Sequence, residues 1–291
     1  MKYFLRILKW LIALALLGFI GIIIFIQTVD FSVSEEQIGA AFDGLQYSPE
    51  FRAFNHEGRE MHYVAVGDTS KQTVLFVHGS PGSWDNFLYF LADSIALKKY
   101  RLIAVDRPGF GKSGNGVPER SLQQQAEIIN EVLVREQTSA ILVGHSYGGP
   151  VITRMAIDFP GYTDGLVLVA GSVDPELEKT KWYQIPVHYK ILSWILPDLL
   201  YSTNEEILAL KNELEEMEPD WKQITQPVSV IQGGKDMLVP KENADFAQKM
   251  LVNAPVKMVV IPEMNHFVPW NRSDLIRQEI DRLARLLNPE N

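Results

Sequence analysis

Six residues of this chain have the types and settings that acyl chemistry requires. Ser146 lies in Gly144-His145-Ser146-Tyr147-Gly148-Gly149, a G-x-S-x-G arrangement directly after the apolar run 140–143 (AILV). That spacing predicts a tight strand-to-helix turn that lifts the serine hydroxyl out of the backbone, with flanking glycines that let the chain pass close to itself without Cβ clashes. A serine hydroxyl is too weak an acid to attack a carbonyl unaided at neutral pH. It needs an imidazole to take its proton and a carboxylate to fix the imidazole's tautomer and stabilise the imidazolium. Among the 6 histidines, only His266, in Glu263-Met264-Asn265-His266, follows an apolar run (258–261, MVVI) in the C-terminal part of the chain. Asp236, in Gly233-Gly234-Lys235-Asp236 after 228–231 (VSVI), is the preferred acid, and Asp174, after 166–170 (LVLVA), is the second candidate. The loop His78-Gly79-Ser80-Pro81-Gly82-Ser83 follows 73–77 (TVLFV). It can aim the N–H of Ser80 at a developing oxyanion, with the N–H of Tyr147 as the second donor.

These residues share a setting, since each sits just past a short run of Val, Ile and Leu. The runs, together with 102–105 (LIAV), lack polar-apolar alternation, as strands buried on both faces should. Amphipathic stretches near 84–98, 121–136, 148–158, 242–252 and 273–287 lie between or after them. Strands alternating with helices predict an α/β protein with a mostly parallel sheet and helices on both faces. In open sheets of this kind, ligands bind at the carboxyl ends of the strands, where the six residues are expected. Residues 51–56 and 61–67 read as a hairpin turning at Glu57-Gly58, and Ser34-Glu35-Glu36-Gln37 as a capping box opening a short helix. Pro175 to Gln226 is too long for one crossover and too apolar for a disordered linker, which predicts a helical insertion over the sheet's edge.

Composition narrows the function further. The 291 residues carry 27 Lys+Arg against 36 Asp+Glu, a net charge of −9. Setting aside the N-terminal cations Lys2, Arg6 and Lys9 makes the remainder more acidic still, which disfavours nucleic acid as a partner. With no Cys, thiolate metal sites, iron–sulfur clusters and a cysteine nucleophile are excluded. No metal or cofactor is expected. Gly109-Phe110-Gly111-Lys112-Ser113-Gly114 matches G-x-G-x-x-G, yet Asn115-Gly116-Val117-Pro118 follows it where a dinucleotide site needs a helix. The same stretch lacks the first glycine of a phosphate-binding P-loop, because Asp106 stands there. His56 and His62 do not form an H-E-x-x-H pair, and His145 and His188 read as packing residues.

Residues 10–26 (WLIALALLGFIGIIIFI) contain 17 consecutive uncharged residues. As a helix they span roughly 25 Å, near the lower limit for crossing a bilayer core, and a snorkelling Lys9 extends the reach. The segment is apolar all round, unlike a core helix, and only a poor cleavage pattern (Ser32-Val33-Ser34) follows it. It is therefore read as an uncleaved anchor entering the bilayer through residues 7–29. Cations before the span and Asp30, Glu35 and Glu36 after it predict a cytoplasmic N-terminus and an extracytoplasmic body.

Taken together, HGSPGSW (78–84), DRPGFGKS (106–113), GHSYGG (144–149), GGKD (233–236) and NH (265–266) make residues 51–291 resemble the α/β-hydrolase fold family. The resemblance implies a serine-nucleophile member with a helical cap, and the order Ser146…Asp236…His266 is the one that fold uses. With the apolar segment before it, the chain is expected to divide into an anchor (1–30), a connecting segment (31–50), a hydrolase core (51–174 and 227–291) and a cap (175–226). The resemblance further implies a small-molecule substrate, and the aromatic and aliphatic side chains of the insertion suggest a small apolar ester or related acyl substrate, cleaved through an acyl-enzyme. C–C-bond hydrolysis, aminoacyl-peptidase activity and a non-catalytic binding role remain open alternatives. Ser146, where dehalogenases and many epoxide hydrolases carry aspartate, argues against those two activities.

Overall fold

The computed structural model describes residues 2–28, 32–182, 184–189 and 196–287. Asp30, one of the charges flanking the expected anchor, lies outside them, as do Tyr183 and residues 190–195 of the long insertion. Helix α1 (Lys2–Thr28) contains the stretch Arg6–Phe25, which is long and apolar enough to cross a membrane by length and composition. Helix α2 (Glu35–Phe42) opens on the expected capping box. Ser34 Oγ accepts from the Gln37 N–H at 3.2 Å, and Gln37 Oε1 accepts from the Ser34 N–H at 3.0 Å.

An 8-stranded sheet forms the centre, in the order β1-β2-β4-β3-β5-β6-β7-β8. β1 (Glu50–His56) and β2 (Arg59–Val66) make the predicted hairpin, with Glu57 and Gly58 both at positive φ. β2 runs antiparallel to β4 (Tyr100–Val105). Parallel pairing then runs from β4 through β3 (Gln72–Val77), β5 (Ala140–His145), β6 (Thr163–Val169) and β7 (Val228–Gly233) to β8 (Val256–Ile261). Register sets up the site. Val77 pairs with Gly144, His145 with Val169, Val169 with Ile231, and Gly233 with Ile261, so the loops carrying the candidate residues leave the sheet at neighbouring levels.

Side chains of the inner strands alternate between two buried layers, as the two-residue period of a strand demands. Leu75, Val77, Ile103, Val105 and Leu142 face α3 (Leu122–Glu136) and α4 (Gly148–Asp158), whose Ile129, Leu133, Val151 and Met155 complete that layer. Val74, Phe76, Leu102, Ala104 and Val143 face the other way, toward α7 (Ser273–Leu287), which contributes Ile276, Ile280 and Leu283. Each such Val, Leu, Ile, Phe or Met side chain, fully buried, contributes about 1.5–3 kcal/mol. Helix α6 (Glu242–Met250) precedes β8.

Between β6 and β7 the chain forms a short helix (Gln184–His188) and the long helix α5 (Asp198–Met217). Here the structure departs from the expected position over the sheet's edge. Thr203 Oγ1 of α5 accepts from Ser80 Oγ at 3.2 Å, and Glu206 meets Arg107, which puts α5 over the loops after the interior strands β3 and β4. The difference has a chemical origin. The polar face of α5 finds its partners on those two loops, while its Leu210, Leu214 and Met217 join the core.

Candidate active site

Ser146 begins where β5 ends, at φ +54°, a left-handed conformation that costs a non-glycine residue about 1–3 kcal/mol. Its neighbours hold it there. The Ser146 N–H donates to the Val169 carbonyl at 3.0 Å, and its carbonyl accepts from Gly149 (2.9 Å) and Ser172 (3.2 Å). The turn also needs its glycines. A Cβ on Gly144 would stand 2.4 Å from the Gly148 carbonyl oxygen, and one on Gly148 would stand 2.2 Å from that of Val77. His145 and Tyr147 are buried on either side, whereas Ser146 keeps partial access to solvent.

Asp236 and His266 are brought together by two interlaced loops. The Gly234 N–H donates to Ile261 (2.8 Å) and the Lys235 N–H to Met264 (2.9 Å), with Gly233 too close to Met264 and Asn265 for any side chain. His266 Nδ1 lies 2.8 Å from Asp236 Oδ2. The carboxylate only accepts, so Nδ1 carries the proton and Nε2 keeps its lone pair. The other carboxylate oxygen accepts from Leu238 (2.9 Å) and Val239 (2.8 Å). Burial pushes the Asp236 carboxyl up, but the hydrogen bonds from His266, Val239 and Leu238 outweigh it and hold the group below the usual carboxylate range. Asp174 is elsewhere, with Oδ1 accepting from the Glu176 N–H at 2.9 Å.

His145 links the serine loop to the imidazole. Its Nε2 donates to the His266 carbonyl at 3.1 Å, the two rings lie 4.7 Å apart, and Trp270 stands edge-on to His145 at 5.4 Å. Burial, and then the adjacent His266, push the His145 imidazole down to about 3, so it stays neutral. Among the described residues no hydrogen bond joins Ser146 Oγ to His266. Such contacts are often long in unliganded sites and tighten with substrate.

The β3 loop closes on the serine from the other side, since a Cβ on Gly79 would touch the Ser146 Cβ at 2.8 Å. Among the described residues, neither the Ser80 nor the Tyr147 N–H donates to a protein acceptor. Arg107 braces this loop. It donates to the His78 and Gly79 carbonyls (both 2.9 Å), to Gln125 (2.8 Å) and, bidentately, to Glu206 of α5 (2.7 and 2.9 Å). Its guanidinium also stacks between Phe110 and Tyr147, at 4.7 and 4.6 Å. Sequence reasoning missed Arg107, Glu206 and the second role of His145. The G-x-G-x-x-G stretch folds back on itself around Asp106, whose Oδ2 takes the Lys112 N–H at 3.0 Å, so it offers no phosphate cradle. His188 packs against Glu205, with Nδ1 3.0 Å from Oε2.

A family model described as "Alpha/beta hydrolase family" matches residues 74–279. The chain belongs to the alpha/beta hydrolase family. Like its hydrolase-named relatives, it is a hydrolase. One relative, the 2-hydroxy-6-oxononadienedioate/2-hydroxy-6-oxononatrienedioate hydrolase of Paraburkholderia phymatum, is 28% identical over 260 residues, covering 75% of this chain and 88% of its own. The crystal structure of a membrane phospholipase A superposes with a TM-score of 0.64 at 19% identity, covering 99% of both chains. The 2-hydroxy-6-oxo-6-phenylhexa-2,4-dienoate hydrolase of Rhodococcus sp. strain RHA1 superposes with a TM-score of 0.65 at 16% identity, covering 82% of this chain and 100% of its own. At these identities the structural likeness shows the fold.

Proposed function

We propose that this chain is a membrane-anchored serine hydrolase that cleaves an apolar ester through an acyl-enzyme. The observation that carries the reading is the 2.8 Å contact between His266 Nδ1 and the buried Asp236 carboxylate, beside a serine held at φ +54° on a strand-to-helix turn. In this mechanism Ser146 Oγ attacks the ester carbonyl carbon as His266 Nε2 takes its proton. The Ser80 and Tyr147 N–H groups hold the oxyanion. The alcohol then departs with the proton from His266, leaving an acyl-serine. Water attacks that acyl group, again losing a proton to His266, and the acid leaves as the proton returns to Ser146. Asp236 keeps the imidazole in one tautomer throughout. The division into anchor (1–30), connecting segment, two-part core and cap (175–226) belongs to this reading.

A fluorophosphonate probe tests it. Labelling of the wild type and its loss in Ser146→Ala support the enzyme, and no labelling of folded protein rejects it in favour of a binding role. The P. phymatum relative favours a second reading, C–C-bond cleavage of a vinylogous diketone. A panel of short and long acyl esters, an aminoacyl amide and such a diketone ranks the two. Topology is tested by protease added outside spheroplasts, which should digest the body; full protection would reverse the orientation.

A further inference from the structure

Resting on the anchored reading, we infer that the mouth of the site is turned onto the bilayer that holds α1, and that the substrate is an ester of an amphiphile resident in that bilayer. Helix α1 ends at Thr28, and the Val33 N–H donates to Asp85 Oδ2 at 2.9 Å. Five Cα–Cα steps of 3.80 Å separate the two residues, so they lie at most about 19 Å apart whatever path the chain takes. Asp85 stands five residues beyond Ser80, in the short 3-10 helix Trp84–Phe87 that follows the loop leaving the carboxyl end of β3. Helix α2 continues the attachment, burying Phe42 in the layer that holds Trp84 and Phe87. The tether therefore leaves the membrane and is fixed to the body at the end of the sheet where Ser146 emerges.

That end also carries exposed apolar side chains. Met237 (93% exposed) and Leu238 (67%) follow Asp236, Phe267 and Trp270 (49% and 43%) follow His266, and Ile185 and Tyr189 lie in and just past the short helix that meets α5 at Asn204 and Glu205, next to the Thr203 that Ser80 contacts. Scattered singly such residues are ordinary; ringing one site at the tethered end they suit an interfacial surface, in which apolar side chains sink about 5–10 Å into the headgroup region. Lys235 and Glu263 on the same loops pair with each other, so they bring no net charge to the contact. Tethering within so short a reach keeps the rim at high effective concentration over the lipid.

The absence of Cys allows single probes. Met237→Cys and, at the opposite end of β3, the exposed Thr69→Cys are labelled with an environment-sensitive fluorophore. Each full-length chain is then reconstituted in phosphatidylcholine vesicles brominated on the acyl chains. The expected result is strong quenching at position 237 and little at 69. A rigid helical spacer of about 20 residues inserted after Phe31, roughly 30 Å long, should slow hydrolysis of a fluorogenic phospholipid ester in the bilayer by about tenfold or more. Hydrolysis of a soluble short-chain ester should stay unchanged. An unquenched Met237→Cys probe in a chain that is membrane-held and active on the soluble ester overturns the orientation alone. A probe shielded only as protein concentration rises assigns the rim to a second copy and also overturns it. Release of the wild-type chain from vesicles by carbonate overturns the anchored reading, and this inference with it.

Discussion

At the scale of single residues, the site depends on which protons are held and which are refused. Asp236 stays ionised because its hydrogen bonds outweigh its burial, and of the two candidate acids it is the one that contacts the His266 imidazole. Asp236→Asn should therefore lower kcat by about 10⁴, the cost of the wrong imidazole tautomer in serine proteases. Asp174→Asn should leave kcat within about twofold, since its carboxylate serves only a local turn. The opposite ranking would move the acid. Two other buried groups govern stability against pH. Burial pushes His78 and His145 down, helped by Arg107 and His266 respectively. The unfolded chain takes up protons at these positions near pH 6.5 while the native chain refuses them. Stability is thus intact above about pH 6.5 and falls on acidification by about 1.4 kcal/mol per pH unit for each histidine. Below about pH 4, protonation of Asp236 in the unfolded chain adds to the loss. Thermal unfolding of the detergent-solubilised chain between pH 7 and 4 reads this directly, and His145→Gln should flatten the slope. The second role of His145 left no mark in the sequence. A ring that packs on Trp270 looks the same as one that also donates to a backbone carbonyl, because every residue offers such a carbonyl.

At the scale of elements, the serine turn is a contact between two backbones. Gly148→Ala would place a methyl group 2.2 Å from the Val77 carbonyl oxygen, and neither main chain has a side chain that could swing aside. The variant should lose several kcal/mol and most of its probe labelling, as overpacking a tight core does. Gly161→Ala, with nothing within 4 Å of its Cβ, should stay within about 0.5 kcal/mol of wild type in urea unfolding. Equal effects would show that the turn tolerates relaxation. The strands and this turn were legible in the sequence because their determinants are local. An uninterrupted run such as AILV can only be buried, and two glycines flanking a serine at its end have one economical geometry. The observed bounds of β5 and β6 differ from the apolar runs where Gly144 and Thr163 continue the pairing and where Ala170, at φ +47°, falls just outside β6. The insertion was legible as helical but not in its position. That position is set by Arg107 and Glu206, 99 residues apart, whose meeting no local pattern encodes.

At the scale of the whole molecule, the Arg107–Glu206 pair ties α5 to the loop that faces the serine. Both side chains are fully buried, so removing one partner strands the other charge away from water. Glu206→Ala should cost about 3–5 kcal/mol in urea unfolding, with Glu206→Gln intermediate because it keeps hydrogen bonds to the guanidinium. A loss below about 1 kcal/mol for the alanine variant would show that water reaches the pair. Lifting α5 off the sheet would part this bidentate contact, so the pair opposes that motion. The roof over the serine is thus riveted, not hinged.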